Sequence, residues 1–183
     1  LNDVWGSGSK NTWAAGESGT IVKFDGSSWN PENTNSLQSL NSIYGSSSED
    51  IWAVGLGGSI LHYDGIQWSD VSSIITQEWF DVWAPGDGTA ILVGDLGLLI
   101  RGDGVTWSEM SHPMGSEAIQ TIWGRSATDI YAAGDGFILH YDGNEAGVWT
   151  LYSSTVELGT WRGICGSSAD NMLVVGSLGR IIR

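Results

Sequence analysis

Two histidines, each preceded by an aspartate, are the residues of this 183-residue chain best suited to proton transfer or metal binding. Asp50 precedes His62 by 12 positions, and Asp129 precedes His140 by 11. A neutral imidazole beside a carboxylate can act as a general base or bind a metal ion. The two pairs belong to the second and fourth copies of an internal repeat, so they cannot be close neighbours. We therefore predict a structural role, as a hydrogen bond or charge pair between adjacent strands.

The position of these histidines carries a basic residue in every copy of the repeat, which favours a structural role over a catalytic one. The five basic residues are Lys23, His62, Arg101, His140 and Arg183. The residues predicted to lie beside them on the neighbouring strand are Asn11, Asp50, Thr89, Asp129 and Asn171. Stacking of the basic group on a nearby Trp is an alternative way to stabilise it.

The remaining candidates for chemistry are isolated residues. His112 lies in a Ser-His-Pro-Met segment that has no counterpart in the other copies. No Ser-His-Asp arrangement is visible, and the Gly-rich turns lack the lysine and the following helix of a phosphate-binding loop. Cys165, the single cysteine, occupies a core-like position and is predicted to be a buried thiol. We therefore predict a protein that is not an enzyme, with no catalytic residue, no metal site and no cofactor.

An acidic composition limits the classes of partner. The chain has 21 Asp and Glu against 7 Lys and Arg, a formal net charge of −14. Such a surface repels nucleic-acid phosphates and anionic lipids, and no apolar run approaches the roughly 20 residues of a membrane-spanning helix. We expect neither nucleic acid nor insertion into a membrane. Because the chain starts at Leu1, without a signal peptide, we expect a processed product, a trimmed chain or an excised piece of a longer one.

An internal repeat with spacings of 39 to 42 residues runs through the whole chain. Its five openings are Leu1-Asn-Asp-Val-Trp-Gly-Ser, Leu40-Asn-Ser-Ile-Tyr-Gly-Ser, Trp79-Phe-Asp-Val-Trp-Ala-Pro, Ile119-Gln-Thr-Ile-Trp-Gly-Arg and Trp161-Arg-Gly-Ile-Cys-Gly-Ser. Each copy contains short segments that are rich in β-branched and aromatic residues and end in Gly or Asp-Gly, which is typical of strands. Since no stretch shows a sustained 3.6-residue period, the pattern predicts an all-β propeller.

The predicted fold is a single β-propeller domain over residues 1–183, with four-stranded antiparallel blades. The repeats are 1–39, 40–78, 79–118, 119–160 and the partial 161–183. The fifth copy stops at Arg183, the equivalent of Lys23, so it lacks the fourth strand. Blade five could close with three strands, its last strand could have been removed, or the ring could be larger. We favour five blades.

An Asp-Gly turn precedes the fourth strand in each complete copy. The aspartates are Asp25, Asp64, Asp103 and Asp142, and the tryptophans that begin the fourth strands are Trp29, Trp68, Trp107 and Trp149. Asp-Gly accommodates positive φ, and its carboxylate accepts N–H bonds across a turn. We predict structural turns here, because a calcium loop would need oxygen ligands at several alternating positions.

Together with the segment from Trp52 to His62, these turns resemble the bacterial propeller repeats related to photosystem II assembly factors and the Asp-box turns of sialidase-type propellers. The resemblance covers the whole chain and implies its fold rather than a reaction. Three of the tryptophans follow the Asp after four residues, one fewer than in the usual Asp-box. The arginine triad of the sialidases is not apparent among the five arginines.

The strand order predicts where a ligand would bind. Connections from strand two to three, and from one blade to the next, share one face, which carries variable loops at 30–38, 69–77, 108–117 and 151–159. Variation on a repeated scaffold is typical of a binding surface. The predicted ligand-binding residues on this face and at the mouth of the channel are Asn2, Glu17, Asn41, Asp95, Gln120, Asp135 and Arg162.

A non-catalytic recognition module is the first functional hypothesis, with a glycan or another exposed ligand, and with an extracellular, cell-surface or periplasmic location. Its basis is the repetition, the acidity, the 11 tryptophans and the lack of a catalytic set. The alternative is a scaffold for protein assembly, and a sialidase-like hydrolase is less favoured. Self-association through the open edge of blade five is a further hypothesis, because exposed sheet edges invite strand pairing.

Overall fold

The protein is an all-β, five-bladed β-propeller, as the repeat predicts. The structure is a computed structural model that describes residues 1–144, 147–153, 159–168 and 171–183. Four blades have four antiparallel strands each, and the fifth has three. No helix in these residues has the length and hydropathy needed to cross a membrane.

Each blade is built from consecutive strands that pair in chain order. Blade one contains β1 (Asp3–Gly8), β2 (Asn11–Ala15), β3 (Ile21–Phe24) and β4 (Trp29–Pro31). Blade two contains β5 (Leu40–Ser47), β6 (Asp50–Gly55), β7 (Ile60–Tyr63) and β8 (Trp68–Asp70). Blade three contains β9 (Trp79–Trp83), β10 (Ala90–Gly94), β11 (Leu99–Gly102) and β12 (Trp107–Glu109). Blade four contains β13 (Ile119–Ser126), β14 (Asp129–Gly134), β15 (Ile138–Tyr141) and β16 (Thr150–Ser153). Blade five contains β17 (Trp161–Ser168), β18 (Asn171–Gly176) and β19 (Ile181–Ile182).

The first strand of each blade brings consecutive blades together. Strands β1, β5, β9, β13 and β17 contact one another in that order, so they lie nearest the axis of the propeller. The second strands of blades two to four bury side chains on both sheet faces, and residues 51–54 of blade two are fully inaccessible to solvent. Successive residues of these strands are therefore apolar, whereas apolar and polar residues alternate in a sheet that has one face in solvent.

An aromatic residue on the first strand of a blade packs over a small residue of the next blade. The pairs in which the small residue is glycine are Trp5 with Gly45, Trp83 with Gly124, and Trp123 with Gly166. A Cβ added to Gly124 would lie 2.6 Å from the ring of Trp83, so this close approach requires glycine. Between blades two and three the aromatic ring is smaller and the small residue is larger. Here Tyr44 packs on the cluster that contains Ala84.

Cys165 occupies the same aromatic position in blade five, and it is exposed. The prediction of a buried thiol is therefore wrong. The aromatic counterparts of Cys165 are covered by the blade that follows each of them, whereas the strands that pack closely on β17 belong to blades four and five. This position on the first strand is covered only in blades against which a following blade packs.

Candidate functional site

One face of the propeller carries the turns between the second and third strands together with the connections between blades; we call it the loop face. Four of its turns are three-residue 3₁₀ turns: Glu17–Gly19, Leu56–Gly58, Asp95–Gly97 and Ser177–Gly179. The inter-blade connections are bonded to them, since the backbone N–H of Leu56 donates to the carbonyl of Ser39 at 2.9 Å. Turns and connections therefore form one continuous surface.

The middle residue of each 3₁₀ turn lies in the left-handed region that favours glycine. Gly57 has a φ of 63°, but Ser18, Leu96 and Leu178 adopt φ of 54°, 54° and 61°. A leucine costs roughly 1 kcal/mol more than a glycine in this conformation. Leu96 and Leu178 are nevertheless 56% and 83% exposed, so packing does not offset the strain. Because backbone strain clusters at functional sites, these two turns are the candidate site on the loop face.

Three further aliphatic side chains are exposed on the loop face. Leu37 and Ile74 lie in the connections that follow blades one and two, and Leu56 begins a 3₁₀ turn. Ile74 is completely exposed. Exposed apolar side chains that share one surface mark interaction sites, whereas single scattered ones are ordinary.

A groove of about 390 Å³ adjoins Leu96 on the loop face and is lined in part by Met110 and His112. The Nε2 of His112 donates to the carbonyl of Gly97 at 2.7 Å, and its Nδ1 accepts from the backbone N–H of Met114 at 3.3 Å. With these partners Nε2 is the donor of the ring and Nδ1 is the acceptor. His112 thus holds the wall of the groove in place.

Two of the predicted ligand-binding residues form bonds between blades. The Nδ2 of Asn2 donates to the carbonyl of Leu40 at 2.8 Å. The Nδ2 of Asn41 donates at 2.8 Å to the carbonyl of Trp79 and to Oε1 of Glu78. Both amides therefore tie the first strand of one blade to the first strand of the next.

The other five predicted ligand-binding residues make no side-chain hydrogen bond to another described residue. Glu17, Asp135 and Arg162 are exposed, and Asp95 and Gln120 are half-buried. Glu17, Asp95 and Asp135 give the loop face an acidic character close to the strained turns. A role in ligand binding stays a prediction for all seven residues, and residues 154–158 of the fourth variable loop lie outside the described part of the chain.

A hydrogen-bonded chain that we did not predict links the first strands of four blades. Asp3 Oδ2 accepts from Ser42 Oγ at 2.9 Å and from the backbone N–H of Ile43 at 2.8 Å. Asp81 repeats this pattern with the next blade, accepting at Oδ2 from Thr121 Oγ1 at 3.0 Å and from Ile122 N–H at 2.9 Å. Carboxylates and hydroxyls thus alternate from blade to blade around the axis.

Ser42 is the centre of this chain, because its hydroxyl lies between two carboxylates. Ser42 Oγ is 2.9 Å from Asp3 Oδ2 and 2.7 Å from Asp81 Oδ1. A hydroxyl donates one proton, so it cannot satisfy both anionic oxygens at once. Burial raises the pKa of Asp81 to about 6, against the bonds from Ile122, Ser42, Thr121 and Val82. A proton on Asp81 would supply the missing donor.

The opposite face carries the Asp-Gly turns, and we call it the turn face. Asp64 Oδ1 accepts from the backbone N–H of Ile66 and of Gln67, both at 2.9 Å. The same bonding recurs at Asp25 and Asp103, and Asp142 accepts from Asn144. Hydrogen bonds to the ionised form lower the pKa of all four carboxyl groups.

The predicted histidine–aspartate pairs are present on the outer part of two blades. His62 Nε2 lies 2.9 Å from Asp50 Oδ1, and its ring stacks on Trp52 with centroids 4.0 Å apart. His140 Nε2 lies 2.8 Å from Asp129 Oδ1. The register corrects one detail: Trp52, not Asp50, is directly opposite His62, so the carboxylate reaches the ring diagonally.

Lys23 and Arg101, at the same position in blades one and three, also have structural partners. The Nζ of Lys23 lies 4.4 Å from the ring centroid of Trp13, and the Nε of Arg101 donates to Thr89 Oγ1 at 3.0 Å. Among the described residues, no group of three or more His, Cys, Asp or Glu side chains has the arrangement of a metal site. The row of basic residues therefore stabilises the blades.

Solved propeller structures resemble this chain over almost its whole length. A YCF48 structure with a bound D1 peptide matches 98% of the chain at 19% identity, with a TM-score of 0.70. YCF48 from Cyanidioschyzon merolae matches 97% at 13% identity and a TM-score of 0.76. The WD40 propeller domain of Doa1 matches 98% at 14% identity and a TM-score of 0.72. At these identities the likeness shows the fold.

These matches place two limits on the comparison. The chain spans 63%, 64% and 63% of the three structures, just under two thirds of each. No protein-family model and no curated protein sequence matches the chain. YCF48 is a photosystem II assembly factor, so the predicted resemblance to those propeller repeats is supported, and the likeness to Asp-box repeats stays a prediction.

Proposed function

We propose that this propeller is a non-catalytic module that binds a segment of a partner protein across the loop face. The observation that supports it is the pair of strained, exposed leucines, Leu96 and Leu178, at the tips of turns on that face. Their conformation destabilises the free protein by roughly 1 kcal/mol each. An interface that buries these side chains would give them a function.

The chemistry of the loop face indicates the kind of segment that would bind. The exposed aliphatic side chains would contact apolar residues of the partner, and Glu17, Asp95 and Asp135 would attract its lysines and arginines. We therefore propose a segment that combines apolar anchors with positive charge. The bound D1 peptide in one YCF48 structure supports a peptide ligand on a propeller of this shape.

A glycan ligand has less support than the sequence suggested. The tryptophans that motivated the lectin hypothesis are mostly core residues: Trp13, Trp52, Trp79, Trp149 and Trp161 are at most 1% exposed. An aromatic platform for a sugar must present its ring to solvent. The recurrence of tryptophan is therefore explained by packing between and within the blades. A location outside the cytoplasm stays part of the proposal.

The test is selection of binding peptides from a random displayed library, followed by titration of an enriched peptide. Leu96→Gly and Leu178→Gly each remove an anchor and should weaken binding about tenfold. The same variants relieve strain and should raise the free energy of unfolding by about 1 kcal/mol. Weaker binding with a higher free energy of unfolding would show that a contact with the peptide was lost. Weaker binding with a lower free energy of unfolding would show that the fold was damaged.

Val105→Ala is the matched control, because Val105 is equally apolar and 86% exposed but lies on the turn face. It should leave the affinity for the peptide unchanged. Added salt should weaken binding if basic residues of the peptide meet the acidic turns. Peptides whose affinity is the same for the wild type and both leucine variants would contradict the proposal, as would saturable sugar binding with no enriched peptide.

A further inference from the structure

The groove beside Leu96 in blade three has a counterpart in blade one. Both grooves lie between a 3₁₀ turn and the connection that leads to the next blade. The groove of blade three has a volume of about 390 Å³, and that of blade one has a volume of about 550 Å³. Four equivalent positions line both grooves: Leu96, Glu109, Met110 and His112 in blade three, and Ser18, Pro31, Glu32 and Thr34 in blade one. The repeat therefore builds the same groove twice with different chemistry.

In each groove one side chain of the connection bonds to the 3₁₀ turn. The hydroxyl of Thr34 donates to the carbonyl of Gly19 at 2.9 Å and accepts from the backbone N–H two residues further on at 3.3 Å. His112 makes the same two bonds in blade three, to the carbonyl of Gly97 at 2.7 Å and from the N–H of Met114 at 3.3 Å. A hydroxyl can make both bonds at any ordinary pH, whereas an imidazole can do so only while its Nδ1 carries no proton. This part of the groove wall is therefore sensitive to protonation in blade three and insensitive in blade one.

Glu109 gives the groove of blade three a negative charge. Its side chain is exposed, and the four salt bridges between described residues involve other carboxylates. Leu96 and Met110 add aliphatic surface beside it. A lysine or arginine side chain has an aliphatic stem and a cationic head, so it complements both parts of the groove. An anionic group would be repelled by Glu109, and an uncharged aliphatic group would cover that carboxylate without pairing with it.

The other charged residues around this groove are acidic too. Asp95 begins the 3₁₀ turn that carries Leu96, and Glu117 lies on the connection that carries His112. No charged side chain occurs in the segments of β11 and blade four that pack against them, which are 98–100, 119–124 and 147–151. Protonation of His112 would therefore place a positive charge among carboxylates, at the site where a bound cation would lie.

We propose that this groove receives a lysine or arginine side chain of the segment bound on the loop face, and that protonation of His112 releases it. The added charge on the imidazole repels the bound cation. The proton also converts Nδ1 from an acceptor into a donor, so the N–H of Met114 loses its partner and the connection is no longer held at that point. Binding is therefore tight at neutral pH and weak in mild acid. The bound segment rests on the proposed function, whereas the groove can be tested without it.

The probe is Nα-acetyl-lysine amide, a single residue with a free ε-ammonium group, added to the isotope-labelled protein and followed by NMR of the backbone amides. Nα-acetyl-norleucine amide is the matched control, because its side chain has the same aliphatic stem without the charge. At about pH 7.5 the lysine probe should shift the amide signals within 96–97 and 109–115, and the norleucine probe should not. At about pH 5.5, where an ordinary histidine is largely protonated, the lysine probe should bind about fivefold more weakly.

Blade one supplies the decisive variant. His112→Thr installs the residue that bonds to the equivalent turn in blade one, so it should keep both hydrogen bonds and bind the lysine probe equally well at the two pH values. In the wild type without a probe, the amide signals within 112–114 should follow the protonation of the imidazole. Those within 34–36 should stay constant over the same pH range, because the hydroxyl of Thr34 does not titrate.

Glu109→Gln tests the charge of the groove. It should weaken binding of the lysine probe about threefold at neutral pH, the effect of losing an exposed ion pair. Glu49→Gln removes the same charge from an exposed residue between β5 and β6 on the turn face, and it should leave the affinity unchanged. Amide spectra as well dispersed as that of the wild type would show that the variants are folded.

The outcomes separate this inference from the proposed function. Equal shifts from the lysine and norleucine probes, or none from either, would show that the groove does not select a cationic side chain. The same pH dependence in His112→Thr as in the wild type would show that His112 does not control binding. Selective, pH-dependent binding of the lysine probe without any enriched library peptide would contradict the proposed function alone. Enriched peptides that leave the groove signals unshifted would contradict this inference alone.

Discussion

Replacing Asp81 with asparagine should change how the stability of the propeller depends on pH. Asp81 and Asp3 share the single hydroxyl proton of Ser42, and burial raises the pKa of Asp81 to about 6 from an ordinary 3.8. Between these two values the folded protein holds a proton that the unfolded chain has lost. The free energy of unfolding therefore falls as the pH rises from about 4 to about 7.

The magnitude follows from the size of the pKa change. A difference of about two pKa units corresponds to about 3 kcal/mol between the protonated and ionised states. An asparagine at position 81 resembles the protonated acid, because its Nδ2 can donate to Ser42 Oγ while its Oδ1 accepts from Thr121 and Ile122. The N–H of Val82, which donates to the same oxygen as Ser42, loses its acceptor in this variant, and that loss is the same at every pH. Relative to the wild type, Asp81→Asn should gain about 3 kcal/mol of stability between pH 4 and pH 8.

The assay is denaturant unfolding of the wild type and the variants at pH 3, 4, 5, 6, 7 and 8. Asp87→Asn is the control, because bonds from Thr89 and the charge of Arg101 outweigh burial and lower the pKa of Asp87. Its stability relative to the wild type should change in the opposite direction, improving as the pH falls below 4. A difference between Asp81→Asn and the wild type that stays constant from pH 4 to pH 8 would refute the shared-proton interpretation.

Two further predictions concern packing and charge. Tyr44→Trp should destabilise the protein by about 1 to 3 kcal/mol through overpacking on Ala84, and adding Ala84→Gly should restore most of the loss, as a double-mutant cycle in denaturant would measure. Burial raises the pKa of Asp50, but bonds from His62, Ser46 and Trp52 outweigh it and lower the pKa overall. Asp50→Asn should therefore cost on the order of 1 kcal/mol at pH 7, and the cost should shrink as Asp50 itself is protonated in acid; an unchanged cost at pH 3 would contradict this.

The fold could be predicted because each blade repeats the same pattern of strands and turns. Strand boundaries, Asp-Gly turns and the missing fourth strand of blade five were visible as aligned segments, and each copy checked the others. The basic residue that recurs near the end of the third strand was visible in the same way. The alignment could not show that the Asp50 carboxylate contacts His62 diagonally, because that contact depends on the register of the two strands.

The contacts between blades were harder to predict, since one sequence does not show which atoms meet across an interface. Asn2 and Asn41 had the appearance of channel-mouth ligands, but their amides bond to carbonyls of the next blade. The chain from Asp3 to Thr121 left a signal, because the third residue of the openings is Asp, Ser, Asp and Thr in blades one to four. That alternation of acceptors and donors could have been recognised.

The strained leucines were missed for a different reason. Leucine is not a turn residue, so Leu96 and Leu178 had no feature that predicts a left-handed conformation. The available evidence was their alignment with Gly57. A glycine in one copy of a repeated turn indicates a left-handed backbone at that position, and the other copies must adopt the same conformation. Exposure of Cys165 could not be predicted, because it depends on what lies beyond blade five.

The unequal sizes of the aromatic pairs make the order of the blades part of the fold. Trp5, Trp83 and Trp123 each need a glycine in the following blade, whereas Tyr44 is matched by Ala84. If blade three lost its place after blade two, one junction would contain a Trp ring against the methyl group of Ala84 and another would contain a void beside Tyr44. Such chains would be less stable than the correct one at two junctions together. The pairs therefore specify that blade three follows blade two, whereas the three Trp–Gly junctions are equivalent to one another.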